Sequence, residues 1–127
     1  MATISARTGS GLPNVGNLSA AQAGNGTSTN IIDRGRSQDH ALLTITTAVG
    51  ASPTCTYAVQ GSADGTNWFP VQWSDAAAPD TWSVATFTIT AAGTTHRFVR
   101  GSTPVRYLRL VYSANTNVTN TADLHVF

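Results

Sequence analysis

Residues 41–61 read ALLTITTAVGASPTCTYAVQG. Leu43, Ile45, Thr47 and Val49 recur at every second position. Ala51-Ser52-Pro53 then interrupts, and Cys55, Tyr57 and Val59 take up the same alternation. A period of two marks a strand with one buried face, and proline removes a ladder donor. The stretch therefore reads as two strands, 41–49 and 54–61, with a break between them.

Working outward, residues 62–67 form a turn, because Asp64-Gly65 supplies the positive φ that a tight reversal needs. Residues 68–73 make a strand that Pro70 demotes to an edge or a bulge. After a loop at 75–80, residues 81–90 place Ala85, Phe87 and Ile89 on one face, with Trp82 and Val84 on the other. Residues 95–100 and 105–113 are two further strands. A polar loop spans 115–120, and 122–127 closes the chain with Leu124 and Val126 on one side. Residues 30–33 are a short strand ahead of the rest. Eight short strands with regular turn signals predict an all-β, eight-stranded antiparallel sandwich, jelly-roll-like, over residues 31–127.

Composition agrees. The 127-residue chain has 20 Thr, 18 Ala, 11 Ser and 8 Asn, and only 10% of its residues are charged. All seven cations are Arg and all six anions are Asp. Lys and Glu, good helix formers, are absent, while Thr, Val and aromatics suit a pleated surface. A helical bundle and a coiled coil are excluded. A net charge of +1 is too small for an ordinary nucleic-acid binder. Cys55 is the sole cysteine, so no intrachain disulfide forms, and it reads as a buried thiol. Residues 1–15 lack a basic leader and an apolar run, and no stretch is long enough for a membrane span. Synthesis in a host cytoplasm, with no membrane partner, is the expectation.

Residues 1–30 differ from the remainder. They hold five Gly, one charge (Arg7) and four large aliphatics: Ile4, Leu12, Val15 and Leu18. Fixing thirty residues costs about 1–2 kcal/mol each. Burying four aliphatics returns roughly 1.5–3 kcal/mol each. Packing of those four cannot order the segment, so it reads as an extended arm held by backbone pairing or by neighbouring molecules.

Catalytic constellations are poorly represented. Asp39 and His40 are adjacent and would point to opposite faces of a strand. Asp123 and His125 share a face but lack a nucleophile. The three histidines lie far apart in sequence and carry no zinc-ligand spacing. No cofactor and no enzymatic activity are expected. Arg97, Arg100, Arg106 and Arg109 form a basic run without an acid. It reads either as a docking strip or, for at least two of them, as partners of Asp64, Asp75, Asp80 or Asp123. Trp68, Trp73 and Trp82 are candidates for core, subunit interface or a sugar-stacking platform.

The segment Val59-Gln60-Gly61-Ser62-Ala63-Asp64-Gly65-Thr66-Asn67-Trp68 resembles the G-S-x-D-G-x-x-W hairpin of many β-sandwich modules, and Pro104-Val105-Arg106-Tyr107-Leu108-Arg109-Leu110 resembles their late strand. Discoidin-type, galactose-binding-like domains carry both, as do small structural proteins of tailed bacteriophages. The unbridged chain with its Gly- and Ser-rich leading segment is similar to phage capsid decoration (cement) proteins. That resemblance implies a non-enzymatic virion protein on the outer surface of the head, frequently trimeric. It would clamp neighbouring major capsid subunits through its arm. Ile4, Arg7, Leu12, Val15, Leu18, Arg34 and Arg36 are the expected contact residues. A carbohydrate-binding module of a phage head or tail fibre, using the tryptophans, is the alternative.

Overall fold

A computed structural model describes residues 2–5, 14–34, 41–100 and 105–126. Among these the chain is all-β, without helix. Ten strands follow in order: β1 (Ala2–Ser5), β2 (Asn14–Gln22), β3 (Gly26–Thr27), β4 (Asn30–Asp33), β5 (Ala41–Ser62), β6 (Phe69–Pro70), β7 (Trp73–Asp75), β8 (Phe87–Ile89), β9 (Gly93–Val99) and β10 (Tyr107–Val126). They form one hydrogen-bonded sheet, antiparallel except for the parallel pair β1–β4.

The expected eight strands become ten: two pairs fuse, residues 68–73 divide into β6 and β7, and β1, β2 and β3 come from the first thirty residues. The strands read at 41–49 and 54–61 are one 22-residue strand, and those at 105–113 and 122–127 belong to one 20-residue strand that runs through the expected loop at 115–120. β5 and β10 pair from Ala41↔Val126 to Ser62↔Tyr107. An extended 22-residue strand would span about 70 Å. A globular chain of this length has a radius of gyration near 14 Å by the size rule, so the ribbon must fold over.

It folds where the turn signals lie. Register shifts occur between Ser113 and Val118. Ser52, Ala114 and Asn117 take left-handed backbone there, with φ of 46°, 49° and 56°. Between the pairs Ser113↔Thr56 and Val118↔Val49, β10 advances five residues and β5 seven. The difference is even, so alternation survives the corner. Odd positions of β5 (Leu43, Ile45, Thr47, then Cys55, Tyr57, Val59) and even positions of β10 (Leu108, Leu110, Tyr112, then Val118, Ala122, Leu124) are buried on both sides of it. Val49, expected on the inner face, is 36% exposed because it stands at the bend.

The ribbon's two halves recruit different neighbours. Residues 41–49 and 118–126 pair with β9 and β2, and β7 joins through β9. Residues 54–62 and 107–113 pair with β6, β8, β3 and β4. Leu18, Leu43 and Leu124 from the first set face Val59, Leu108 and Leu110 from the second across a void of only about 10 Å³. The two sets are thus layers over one core.

Two short hydrogen-bonded chains cross that core. The buried Tyr57 hydroxyl donates to Asn120 Oδ1, and Asn120 Nδ2 approaches Cys55 Sγ at 3.7 Å. Tyr112 donates to Ser19 Oγ at 2.9 Å, and Ser19 Oγ donates in turn to Gln22 Oε1 at 2.6 Å. Burial pushes the Tyr57 phenol far above its ordinary pKa and lifts Tyr112 to about 12, so both remain donors. Tyr57 also stacks on Phe87, with ring centroids 5.2 Å apart.

Tyr57→Phe leaves Asn120 Oδ1 buried without this donor. It is expected to lower unfolding free energy by about 1–3 kcal/mol in urea titrations. Asn120→Ala should destabilise as well, and the double variant should cost less than the sum of the two.

Candidate interaction surface

The described parts of the leading segment, residues 2–5 and 14–30, are paired into the body. β2 pairs with β10 from Asn14↔Val126 to Gln22↔Asn120, and β1 lies beside β4. Leu18 is 2% exposed and lines the central void, so it is a core residue and not an outside anchor. Val15, on the same strand, is 54% exposed. Arg34 is also corrected: it is buried, and its Nε and Nη2 donate to the Val105 carbonyl at 3.1 and 2.7 Å. That burial lowers the pKa of its guanidinium. Ile4 stands on β1 opposite Ile32. Arg7, Leu12 and Arg36 lie outside the described residues.

The turn after β5 positions the first tryptophan. Asp64 Oδ1 accepts the Thr66 and Asn67 amides, both at 2.8 Å, and Oδ2 accepts Asn67 Nδ2 at 2.8 Å. Ser62 Oγ donates to Asp64 and accepts the Gly65 amide. Gly65 sits at φ 78°, where a side chain would be strained. These donors, led by the two backbone amides, hold the Asp64 carboxyl well below the usual carboxylate range. The loop delivers Trp68 over Arg109, with the guanidinium carbon 4.0 Å from the ring centroid, while Arg109 Nε donates to Gln60 at 2.9 Å.

The other members of the basic run are held in similar ways. Arg97 lies over the T-shaped pair Trp73 and Phe87, 5.3 and 4.8 Å from their centroids, and is 3.4 Å from Asp75. Arg100 covers Trp82 at 5.7 Å and donates to Gln72. Arg106 makes two 2.9 Å bonds to Asp33, an acid that the sequence reading did not pair with it. Asp64 is engaged in its own turn, and Asp123 accepts from Asn17 at 2.8 Å. Trp68, Trp73 and Trp82 are half-buried, and an Arg already lies over each ring. Trp73 further donates to the Ala85 carbonyl at 2.7 Å.

Thr44 stands between His96 and Asp123 in the register, and His125 follows two residues later on the same face. His96 Nδ1 meets Thr44 Oγ1 at 3.2 Å. Among the described residues no group of three His, Cys or Asp side chains is placed to hold a metal ion.

One feature escaped the sequence reading. At the folded corner an open cleft of about 450 Å³ is lined by Ala23, Ala48, Val49, Gly50, Asn117 and Thr119, together with Val118. Its sequence trace is the lack of any charge over 42–63 and 110–122, which becomes a spatial patch only through the β5–β10 register.

No family model matches the chain, and no curated protein matches it. Among solved structures, the SPBc2 prophage-derived protein YomS shares the fold. The TM-score is 0.61 at 6% identity, over 95% of this chain and 100% of that one.

Leu18→Ala is expected to cost about 2–5 kcal/mol in chemical denaturation, while Val15→Ala stays within about 0.5 kcal/mol. The Asp64 carboxyl is depressed in the folded state, so its stabilisation is complete above the unfolded pKa and fades as pH falls through the folded one. Asp64→Ala should therefore melt below wild type at neutral pH, and the gap should close as the solution is taken to strong acid.

Proposed function

We propose that this chain is a non-enzymatic structural protein of a phage particle, a decoration protein seated on the outside of the head shell. The observation that carries the reading is the end-to-end fold correspondence with a prophage-derived protein, spanning 95% of this chain and all of the other. Few charges and short side chains suit close packing of many copies. The major capsid protein is the partner, and copies related by the shell's symmetry, trimers among them, add effective concentration to modest individual contacts. Such binding favours the assembled shell by mass action. Because Leu18 anchors β2 in the core, the contact is assigned to the surface of the body and to exposed Val15. A free-standing thirty-residue clasp is not part of this reading.

The test is quantitative mass spectrometry of purified particles from the genome that encodes the chain. A copy number comparable to that of the major shell protein is expected. A handful of copies would move the protein to the tail, and none at all would refute a virion role.

A further inference from the structure

Asn25-Gly26 is the only Asn-Gly pair in the chain. Each of the other seven asparagines is followed by Val, Leu, Ile, Trp or Thr. A glycine leaves its own nitrogen open to close approach, which those side chains hinder. The structure places the pair on an exposed bend between β2 and β3. Gly26 has φ 113°, where a side chain would be strained, and a Cβ built there would meet nothing within 4 Å. Gly26 is also the end pair of β3, opposite Tyr112, and fraying at a strand end costs little.

The Asn25 side chain is held as well. Its Oδ1 accepts the Asn115 amide at 2.9 Å. When a nucleophile attacks Asn25 Cγ, negative charge develops on that oxygen, and a fixed N–H is already aimed at it, as in an oxyanion hole. The donor is fixed because the Asn115 side chain donates to the Val118 carbonyl at 2.9 Å and accepts the Val118 amide at 3.1 Å.

We propose that Asn25 is a site of spontaneous deamidation in the folded protein, through a succinimide closed by the Gly26 nitrogen. The Gly26 N–H gives its proton to base in the solvent, and the nitrogen bonds to Asn25 Cγ. The Cγ–Nδ2 bond breaks, and Nδ2 takes up a proton and leaves as ammonia. Water then opens the ring. Cleavage of the new N–Cγ bond gives aspartate. Cleavage of the original peptide bond gives isoaspartate, whose main chain runs through Cβ and Cγ. The sequence needs only water and base. Its effect is local: residues 20–29, 46–56, 88–95 and 113–121 meet at this corner and contain no Arg, Asp or His. The product carboxylate is the first charge there, and it cancels the chain's net charge of +1. Aspartate keeps an oxygen for the Asn115 amide, so that form retains the fold. Isoaspartate lengthens the link between β2 and β3 and puts the Gly26–Tyr112 pair out of register.

The test holds purified protein in warm, mildly alkaline buffer for weeks, beside a sample in urea, and follows both by isoelectric focusing and peptide mass mapping. In the native sample a band more acidic by one charge should accumulate. Mapping should place the change from amide to acid on Asn25 ahead of every other asparagine, as a mixture of aspartate and isoaspartate. Asn25→Asp should focus at the position of that band and melt with wild type. Asn25→Gln keeps an amide but would have to close a larger ring, so the band should be lost. Conversion in urea with none in the native protein over the same period overturns the proposal and needs no variant to fold. So does an acidic form that maps first to another asparagine, or one that persists in Asn25→Gln. None of these outcomes bears on the particle reading, which rests on a different observation.

Discussion

A ribbon too long to lie flat governs this molecule. β5 and β10 pair along nearly their whole length and present one apolar face. That face is buried only if the ribbon closes upon itself. The corner, the two layers and the recruitment of β2, β9, β4 and β8 to separate halves all follow from that closure. The corner must also conserve parity, because a shift by one residue would turn Leu43 and Ile45 outward on one side while Tyr57 and Val59 stayed in. The two additional residues of β5 at the bend satisfy that condition.

The Tyr57–Asn120 bond gives the closure its register. Tyr57 lies opposite Tyr112, and Asn120 opposite Thr47, so neither is the other's strand partner. Their meeting is possible only when the layers are superposed with the correct offset. Apolar packing alone is tolerant of small slides. A buried hydroxyl and a buried amide are not, since each loses its partner when displaced. Asn120 also breaks the run of apolar residues on the inner face of β10, where the sequence reading had placed it in a loop. A polar residue at an inward position, paired across the core, is hard to tell from a turn residue when only the chain order is in view.

Much of the architecture was legible in residues 41–61, since hydrophobic alternation reports local backbone period directly. The inward faces at Leu43, Ile45, Cys55, Tyr57 and Val59 were read correctly, as was the Asp64-Gly65 turn. Fusion of strands was not legible. Ala51-Ser52-Pro53 signals a sharp backbone event, and the signal is the same whether pairing stops there or bends through it. Leu18 was misread for a different reason. Its neighbours in β2 are Gly, Asn, Ser and Ala, so its burial depends on β10 and on the opposite layer, which local composition does not encode. The corner cleft was invisible because its lining comes from β5, β10 and the chain just after β2.

The restriction of cations to arginine also has a physical reading. Arg109 donates to Gln60 while its guanidinium lies 4.0 Å from the centre of the Trp68 ring, and Arg106 grips both oxygens of Asp33 beside Tyr107. A planar fork can stack and donate at once, whereas a lysine ammonium is a hydrated point charge without a face. Aromatic and cation therefore serve each other: the ring covers the guanidinium's apolar plane, and the guanidinium shields a half-exposed Trp. Charge in this chain works mainly inside its own surface, stitching loops 62–68 and 76–85 to the sheet. The folded corner, made mostly of Thr, Ala, Ser, Gly and Asn, carries none. Its shape is held instead by neutral hydrogen bonds, Asn117 to the Ala51 carbonyl and the Asn115 amide to Asn25, and by left-handed backbone at Ala21, Ser52, Ala114 and Asn117.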